Sequence, residues 1–300
     1  MLPTVELGKT GLNVTRLGYG ALELRDLEVN GGRLPSEAHA GVMLRAVLDA
    51  GINFIDTAPA YGRSEEFIGR FIADRRDEYT LASKCGRAWT GAPPSDTGVS
   101  EWSHDVIVAS VDASLARLGT DHLDLLQLHG PSVEAVEQHD CVHTLEELRA
   151  SGKTRFIGVS AVNPHLDTFI SWGVFDTFQI VYSALEPEHE AGIVAASEAG
   201  AGTIVRGGSV KGVPHREQGR GGEFPIVRDR WVRSGLAELI GDRDPVETMF
   251  RYALAHPHSH TFINGTQNVN HLHANIRAAE LGPLDANLQT AIRTSVMAVV

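Results

Sequence analysis

The chain has 300 residues, 42% of them hydrophobic and 21% charged, a composition that excludes a disordered or fibrous protein. Its 26 Lys and Arg stand against 38 Asp and Glu, a net charge of −12 that opposes binding along a nucleic-acid backbone. The opening MLPTVELGKTGLNV lacks the basic-then-apolar order of a signal peptide, and no run of about 18 apolar residues occurs. A cytoplasmic protein with no membrane partner is expected. Two cysteines, Cys85 and Cys141, give no sign of a disulfide framework.

In chain order, VELGKTGLNVTRL reads as two short strands around a Gly-Lys-Thr-Gly turn, a β-hairpin. Eight apolar, β-branched runs follow: RLGYGAL from Arg16, NFIDTA from Asn53, YTLASK from Tyr79, HLDLLQLH from His122, TRFIGVS from Thr154, DTFQIVYS from Asp176, AGTIVRG from Ala201 and HTFING from His260. Runs this continuous suit strands buried on both faces of a parallel sheet. Amphipathic helical segments lie between them. SEAHAGVMLRAVLDAG starts at the cap candidate Ser36 and closes at Gly51, and Ser64 caps a helix whose Glu65 and Glu66 complement its dipole. Ser103 and Gly119 bound another, VHTLEELRASG stops at Gly152, and PVETMFRYALAH carries Pro245 in its first turn.

Eightfold β/α alternation predicts an α/β fold of the (β/α)8 TIM-barrel type. Residues 1–300 form a single domain, with the N-terminal β-hairpin plugging one end of the barrel. The segment GGSVKGVPHREQGRGGEFPIVRDRWVRSG, within 207–235, is a long loop after strand 7, and loops of that length in compact domains are commonly functional.

Active sites of such barrels form at the C-terminal ends of the strands. Asp56 ends strand 2, Lys84 strand 3 and His129 strand 4, while Tyr61 lies in the loop after strand 2. Taken singly, each has a structural explanation as a turn, packing or solvated residue. Together they converge on one mouth. A phenol titrates near ~10 in water, too high for efficient proton donation at neutral pH, and an adjacent ammonium favours the phenolate. Asp56 would hold Lys84 in place, and His129 would donate to a carbonyl oxygen. This set suits carbonyl reduction with Tyr61 as acid, and it requires a cofactor as hydride source.

FIDTAPAYGRSEEFIG, LASKCG and DLLQLH resemble the Asp, Tyr, Lys and His segments of the aldo-keto reductase superfamily, and LGKTGLNVTRLGYGAL is similar to its N-terminal hairpin and first strand. The resemblance covers essentially the whole chain. It implies a catalytic tetrad of Asp56, Tyr61, Lys84 and His129, and an extended nicotinamide dinucleotide, NADP(H) ahead of NAD(H), bound without a Rossmann domain. GYGALE has Glu23 where a Rossmann fingerprint needs its third glycine. By the same resemblance Ser160 and Gln179 read the nicotinamide carboxamide, although Ala161 replaces the family's Asn. Arg206 takes the place of an aromatic that stacks on the ring. Gly265, Thr266 and Gln267 approach the ribose phosphate and Asn275 the adenine, with Gly265 and His271 where relatives often carry Lys and Arg. Arg206, Lys211, Arg216 and Arg220, in or beside the Gly-rich loop, are candidates for the missing positive charge.

Leu22, Trp89 and the long loop are expected to line the substrate pocket, with Trp102 in the same wall, which suggests a neutral aldehyde, ketone or sugar as carbonyl or alcohol substrate. The competing function is a nicotinamide-dinucleotide-sensing regulatory subunit with little turnover. A metal-dependent barrel enzyme is disfavoured, because only Asp56 and His129 qualify as ligands at strand ends. His256 and His258 precede strand 8 at the opposite end, and His271 and His273 do not share a helix face. Cys85 points away from Lys84 as a packing thiol.

Overall fold

The computed structural model describes residues 2–25, 36–88, 99–215 and 224–300. Trp89, Arg216, Arg220 and the side chain of Lys211 lie outside the described residues. Eight parallel strands close into a barrel: β1 (Leu17–Gly20), β2 (Phe54–Asp56), β3 (Thr80–Cys85), β4 (Leu123–His129), β5 (Thr154–Ser160), β6 (Thr177–Val181), β7 (Gly202–Arg206) and β8 (Thr261–Asn264). Each is bonded to its neighbours in chain order, and β8 pairs with β1 to complete the ring. Helices such as Glu37–Asp49, Ser64–Ile72, His104–Leu118 and Pro245–Leu254 return the chain from the C-terminal to the N-terminal end. The fold expected from the β/α alternation is therefore the one observed.

Strand alternation divides the barrel interior into two layers. Phe54, Ala82, Leu125, Ile204 and Ile263 form an apolar lower layer, closed from below by Leu7, Leu12 and Val14 of the hairpin. The hairpin strands Thr4–Glu6 and Asn13–Thr15 pair antiparallel, and Gly8 brings the turn against β7. A Cβ on Gly8 would stand 2.3 Å from the Gly202 nitrogen, so only glycine permits this approach. Two residues further along each strand the same face carries Asp56, Lys84, Gln127, Arg206 and, just past β8, Gly265. The outward-facing residues, among them Ile55, Leu81, Cys85, Leu126, Leu128 and Val205, pack against the helices in the larger core. Cys85 is thus a packing thiol, and burial raises its pKa well above the usual thiol range.

Three local expectations need correction. Ser64 is the first residue of its helix and not the cap. Its hydroxyl turns inward to donate to the Ala21 carbonyl at 3.0 Å and to share a 2.9 Å hydrogen bond with Thr57. Ser103 occupies a cap position, but its hydroxyl donates to Glu101 and does not accept from the helix. The segment 207–235, read as a long loop, contains a 3-10 turn, Val210–His215, and a helix, Phe224–Arg233. Phe224, Val227 and Trp231 recur at helical spacing and are buried, which is why the segment folds back as a helix. Ser36 does cap its helix, accepting from His39 at 3.2 Å.

Candidate active site

Lys84 is buried on all sides inside the upper layer, where an unsatisfied ammonium would be expensive. Two of its donors meet a carboxylate and a carbonyl, and a phenol stands beside it. Nζ lies 2.6 Å from Asp56 Oδ2 and 3.0 Å from the Thr57 carbonyl, and it stands beside Tyr61, whose ring centroid is 5.0 Å away. Burial by itself would lower the Lys84 pKa; the Asp56 charge and the contacts with Asp56 and Tyr61 outweigh it, and the net direction is upward. Lys84 therefore stays an ammonium.

Asp56 is equally enclosed and is held from two further strands of the barrel. Its Oδ1 accepts from Gln127 Nε2 at 3.2 Å and from Gln179 Nε2 at 2.8 Å. Ser160 in turn donates to Gln179 Oε1 at 3.2 Å. Strands β2, β3, β4, β5 and β6 each contribute to one buried hydrogen-bonded chain, and half-buried Tyr61 stands at its end over Lys84. Gln127 was assigned no part by the sequence, yet it lies two residues before His129 on the same face of β4. That spacing was the available signal.

The loop carrying Tyr61 is fixed by two successive turns, Tyr61 N to Ala58 O and Ser64 N to Tyr61 O, both 3.0 Å, with Gly62 at φ 54° between them. The following helix is anchored behind it. Glu65 has no exposed surface and accepts from Ser83 of β3 at 2.6 Å and from Arg117 at 2.7 and 2.9 Å. The sequence reading gave Glu65 only a dipole role. A polar Ser83 on the outward face of β3 was the overlooked sign that a polar partner is buried there.

The His129 ring meets the Tyr61 ring edge-on, with centroids 5.7 Å apart and planes at 90°. Its pKa lies well below the ordinary imidazole range, first because it is buried and then because Lys84, Arg87 and Arg206 add positive charge nearby. Nδ1 is buried without a hydrogen bond among the described residues, as is Gln127 Oε1. His129 is neutral at pH 7.

Of the residues expected to meet a cofactor, Ser160 and Gln179 belong to the Asp56 network, and Arg206 shares its layer. Gly265 faces Gly20. A Cβ there would stand 2.7 Å from the Gly20 oxygen and 3.0 Å from Glu23 Cγ, so a basic side chain has no room at this position. The adjoining loop is tied down by Tyr19, which donates to the Thr266 carbonyl at 2.8 Å, and by contacts of Gln267 with His39 and the Glu23 carbonyl. The backbone N–H groups of Gly265, Thr266 and Gln267 have no partner among the described residues. A helix, Val269–Leu281, begins immediately afterwards, with His271 exposed and Asn275 half-buried. Free N–H groups beside a helix N-terminus suit phosphate oxygens, so the residues present fit a dinucleotide. Leu22 sits half-buried in the 3-10 turn that leaves β1. His256 is a packing residue against the Tyr182 ring at 5.1 Å, and no group of three or more metal-ligating side chains occurs among the described residues.

A phenol and a neutral imidazole thus stand beside a buried, paired ammonium at the mouth of a (β/α)8 barrel, an arrangement with the chemistry to move a proton at a carbonyl oxygen. The comparisons agree. A family model described as the aldo/keto reductase family matches residues 16–295, and the chain belongs to that family. It is an NAD(P)H-dependent oxidoreductase that interconverts carbonyl and alcohol. An uncharacterized oxidoreductase, YqkF of Bacillus subtilis (strain 168), is 28% identical over 291 residues, spanning 91% of this chain and 90% of its own. The D-threo-aldose 1-dehydrogenase of Pseudomonas sp is 33% identical over 236 residues, 65% of this chain and 69% of its own. Among solved structures, the holo form of aldo-keto reductase AKR11C1 from Bacillus halodurans superposes with a TM-score of 0.83 at 27% identity, covering 98% of this chain and 96% of that one. No helix among the described residues is long and apolar enough to cross a membrane.

The depressed His129 pKa fixes the sign of a pH effect. An unfolded histidine takes up its proton near ~6.5, whereas folded His129 does not, so its contribution to stability is full above that pH and is lost as pH falls below it. NMR of the His129 ring is expected to show no titration between pH 8 and pH 6. An ordinary imidazole titration curve would contradict the burial argument.

Proposed function

We propose that Tyr61 gives its phenolic proton to the carbonyl oxygen in reduction and recovers it in alcohol oxidation. The observation that carries this reading is the buried chain from Gln127 and Gln179 through Asp56 and Lys84, which reaches a partly exposed group only at Tyr61. His129 orients the same oxygen. Folded proteins tolerate a stranded acceptor better than a stranded N–H, so the partnerless Nδ1 is the bare nitrogen and Nε2 carries the proton. That Nε2–H donates to the carbonyl oxygen and stabilises its developing charge. Asp56 keeps Lys84 charged, and Lys84 favours the phenolate left after proton transfer.

The bound dinucleotide supplies the hydride. Gly265, Thr266 and Gln267 hold its phosphate through their backbone, His271 and Asn275 line the ribose-phosphate and adenine end, and Ser160 and Gln179 meet the carboxamide beside Asp56. Arg206, the last residue of β7, lies at the nicotinamide end. Leu22 borders the substrate. The likeness to an aldose dehydrogenase supports an aldehyde or aldose as substrate. Because residues 265–275 include no Lys or Arg, NADP(H) is preferred over NAD(H) only modestly, through the helix N-terminus and His271.

Tyr61→Phe is expected to bind cofactor within about twofold of the native affinity, measured by dinucleotide fluorescence, and to lose at least about a hundredfold in reduction of a generic aldehyde. Near-native turnover would remove Tyr61 from the proton-donor role. For the cofactor, kcat/KM with NADPH should exceed that with NADH by no more than about thirtyfold, and His271→Arg should widen the gap. A native ratio above about a thousandfold would show a dedicated phosphate site elsewhere.

A further inference from the structure

On β7 the side chains alternate: Ile204 faces the barrel interior, Val205 packs outward, and Arg206 returns to the interior face at the strand's C-terminal end. Arg206 lies in register with Val181 of β6, and its carbonyl accepts from Tyr182, so its backbone is fixed at the rim. The side chain is half-buried, and its guanidinium has no hydrogen bond or ion pair among the described residues. An arginine in such a place is unusual, because partly buried guanidinium groups ordinarily take a carboxylate. The carboxylate of its layer, Asp56, is committed to Lys84, Gln127 and Gln179. Glu186, whose carboxylate comes near Gly207, is bonded to Ser183 and makes no ion pair with Arg206. The Arg206 charge also reaches across the mouth, where it is felt at His129.

We propose that Arg206 sets the redox preference of the bound cofactor: its uncompensated guanidinium opposes the cationic oxidised nicotinamide and accepts the neutral reduced ring. The inference rests on the reading above, in which the nicotinamide lies over the Asp56 layer. Two effects act in the same direction. Like charges repel across a partly desolvated gap, and a cation is attracted to the face of a neutral electron-rich ring but not to that of a pyridinium. By the same cation–π attraction, an aromatic at this position would favour the oxidised ring instead. Arg206 makes the protein load with the reduced dinucleotide and release the oxidised one, the cycle of a reductase.

Equilibrium dissociation constants for the reduced and oxidised forms of the same dinucleotide, without substrate, test this directly. The native enzyme is expected to hold the reduced form at least about tenfold more tightly. Arg206→Gln should shrink that ratio severalfold, mainly by improving affinity for the oxidised form, while Arg206→Lys should largely preserve it. A ratio unchanged in Arg206→Gln would overturn the proposal. So would an equal loss of affinity for both forms, which would assign Arg206 to the pyrophosphate. Failure of the native enzyme to bind either form would instead remove the cofactor reading on which the inference rests.

Discussion

The mouth of this barrel is organised around one ammonium group that has no access to water. Lys84 can be buried only because its ammonium meets the Asp56 carboxylate and the Thr57 carbonyl, with the Tyr61 ring beside it. A charge in that position is costly unless it is paired and fully hydrogen-bonded. That requirement explains why two glutamines, from β4 and β6, are spent on Asp56, and why the loop after β2 is clamped by consecutive turns. Each neighbour satisfies a group that would otherwise be stranded. The outcome is a well-braced scaffold with one phenolic hydroxyl at its edge.

The scaffold is supported from outside as well as inside. Glu65 and Ser64 tie the first turn of the helix after β2 to β3, to the ends of β1 and β2, and to Arg117 of the helix His104–Leu118. Tyr61 sits between two anchored ends, Thr57 and Ser64. Below, the hairpin side chains Leu7, Leu12 and Val14 seal the lower layer, so the polar layer opens to solvent at one end. The division of the interior into an apolar floor and a polar upper layer follows from the period of two along each strand.

Much of this was legible in the sequence, for identifiable reasons. Strands buried on both faces leave continuous apolar runs, and a polar residue closing such a run marks the mouth; Asp56, Lys84 and His129 all announced themselves this way. The same rule, applied two residues back from His129, would have found Gln127. Glu65 was hidden because an acidic residue in a first helical turn already has an ordinary explanation, and its partners Ser83 and Arg117 are 18 and 52 residues away. The segment after β7 was mistaken for a loop because its glycines outweighed the Phe224, Val227 and Trp231 spacing. Gly265 looked like a lost cation until its contact with Gly20 showed that no side chain fits.

The central claim is that Lys84 and Asp56 are mutually dependent buried charges. The most direct measurement is a double-mutant cycle on unfolding free energy with Lys84→Met, Asp56→Asn and the combined variant, from denaturant titrations at pH 7. Each single change strands a charge and is expected to cost about 3–5 kcal/mol, while the double variant should lose much less than the sum. Additive losses would contradict the account, because they would mean that neither charge relies on the other.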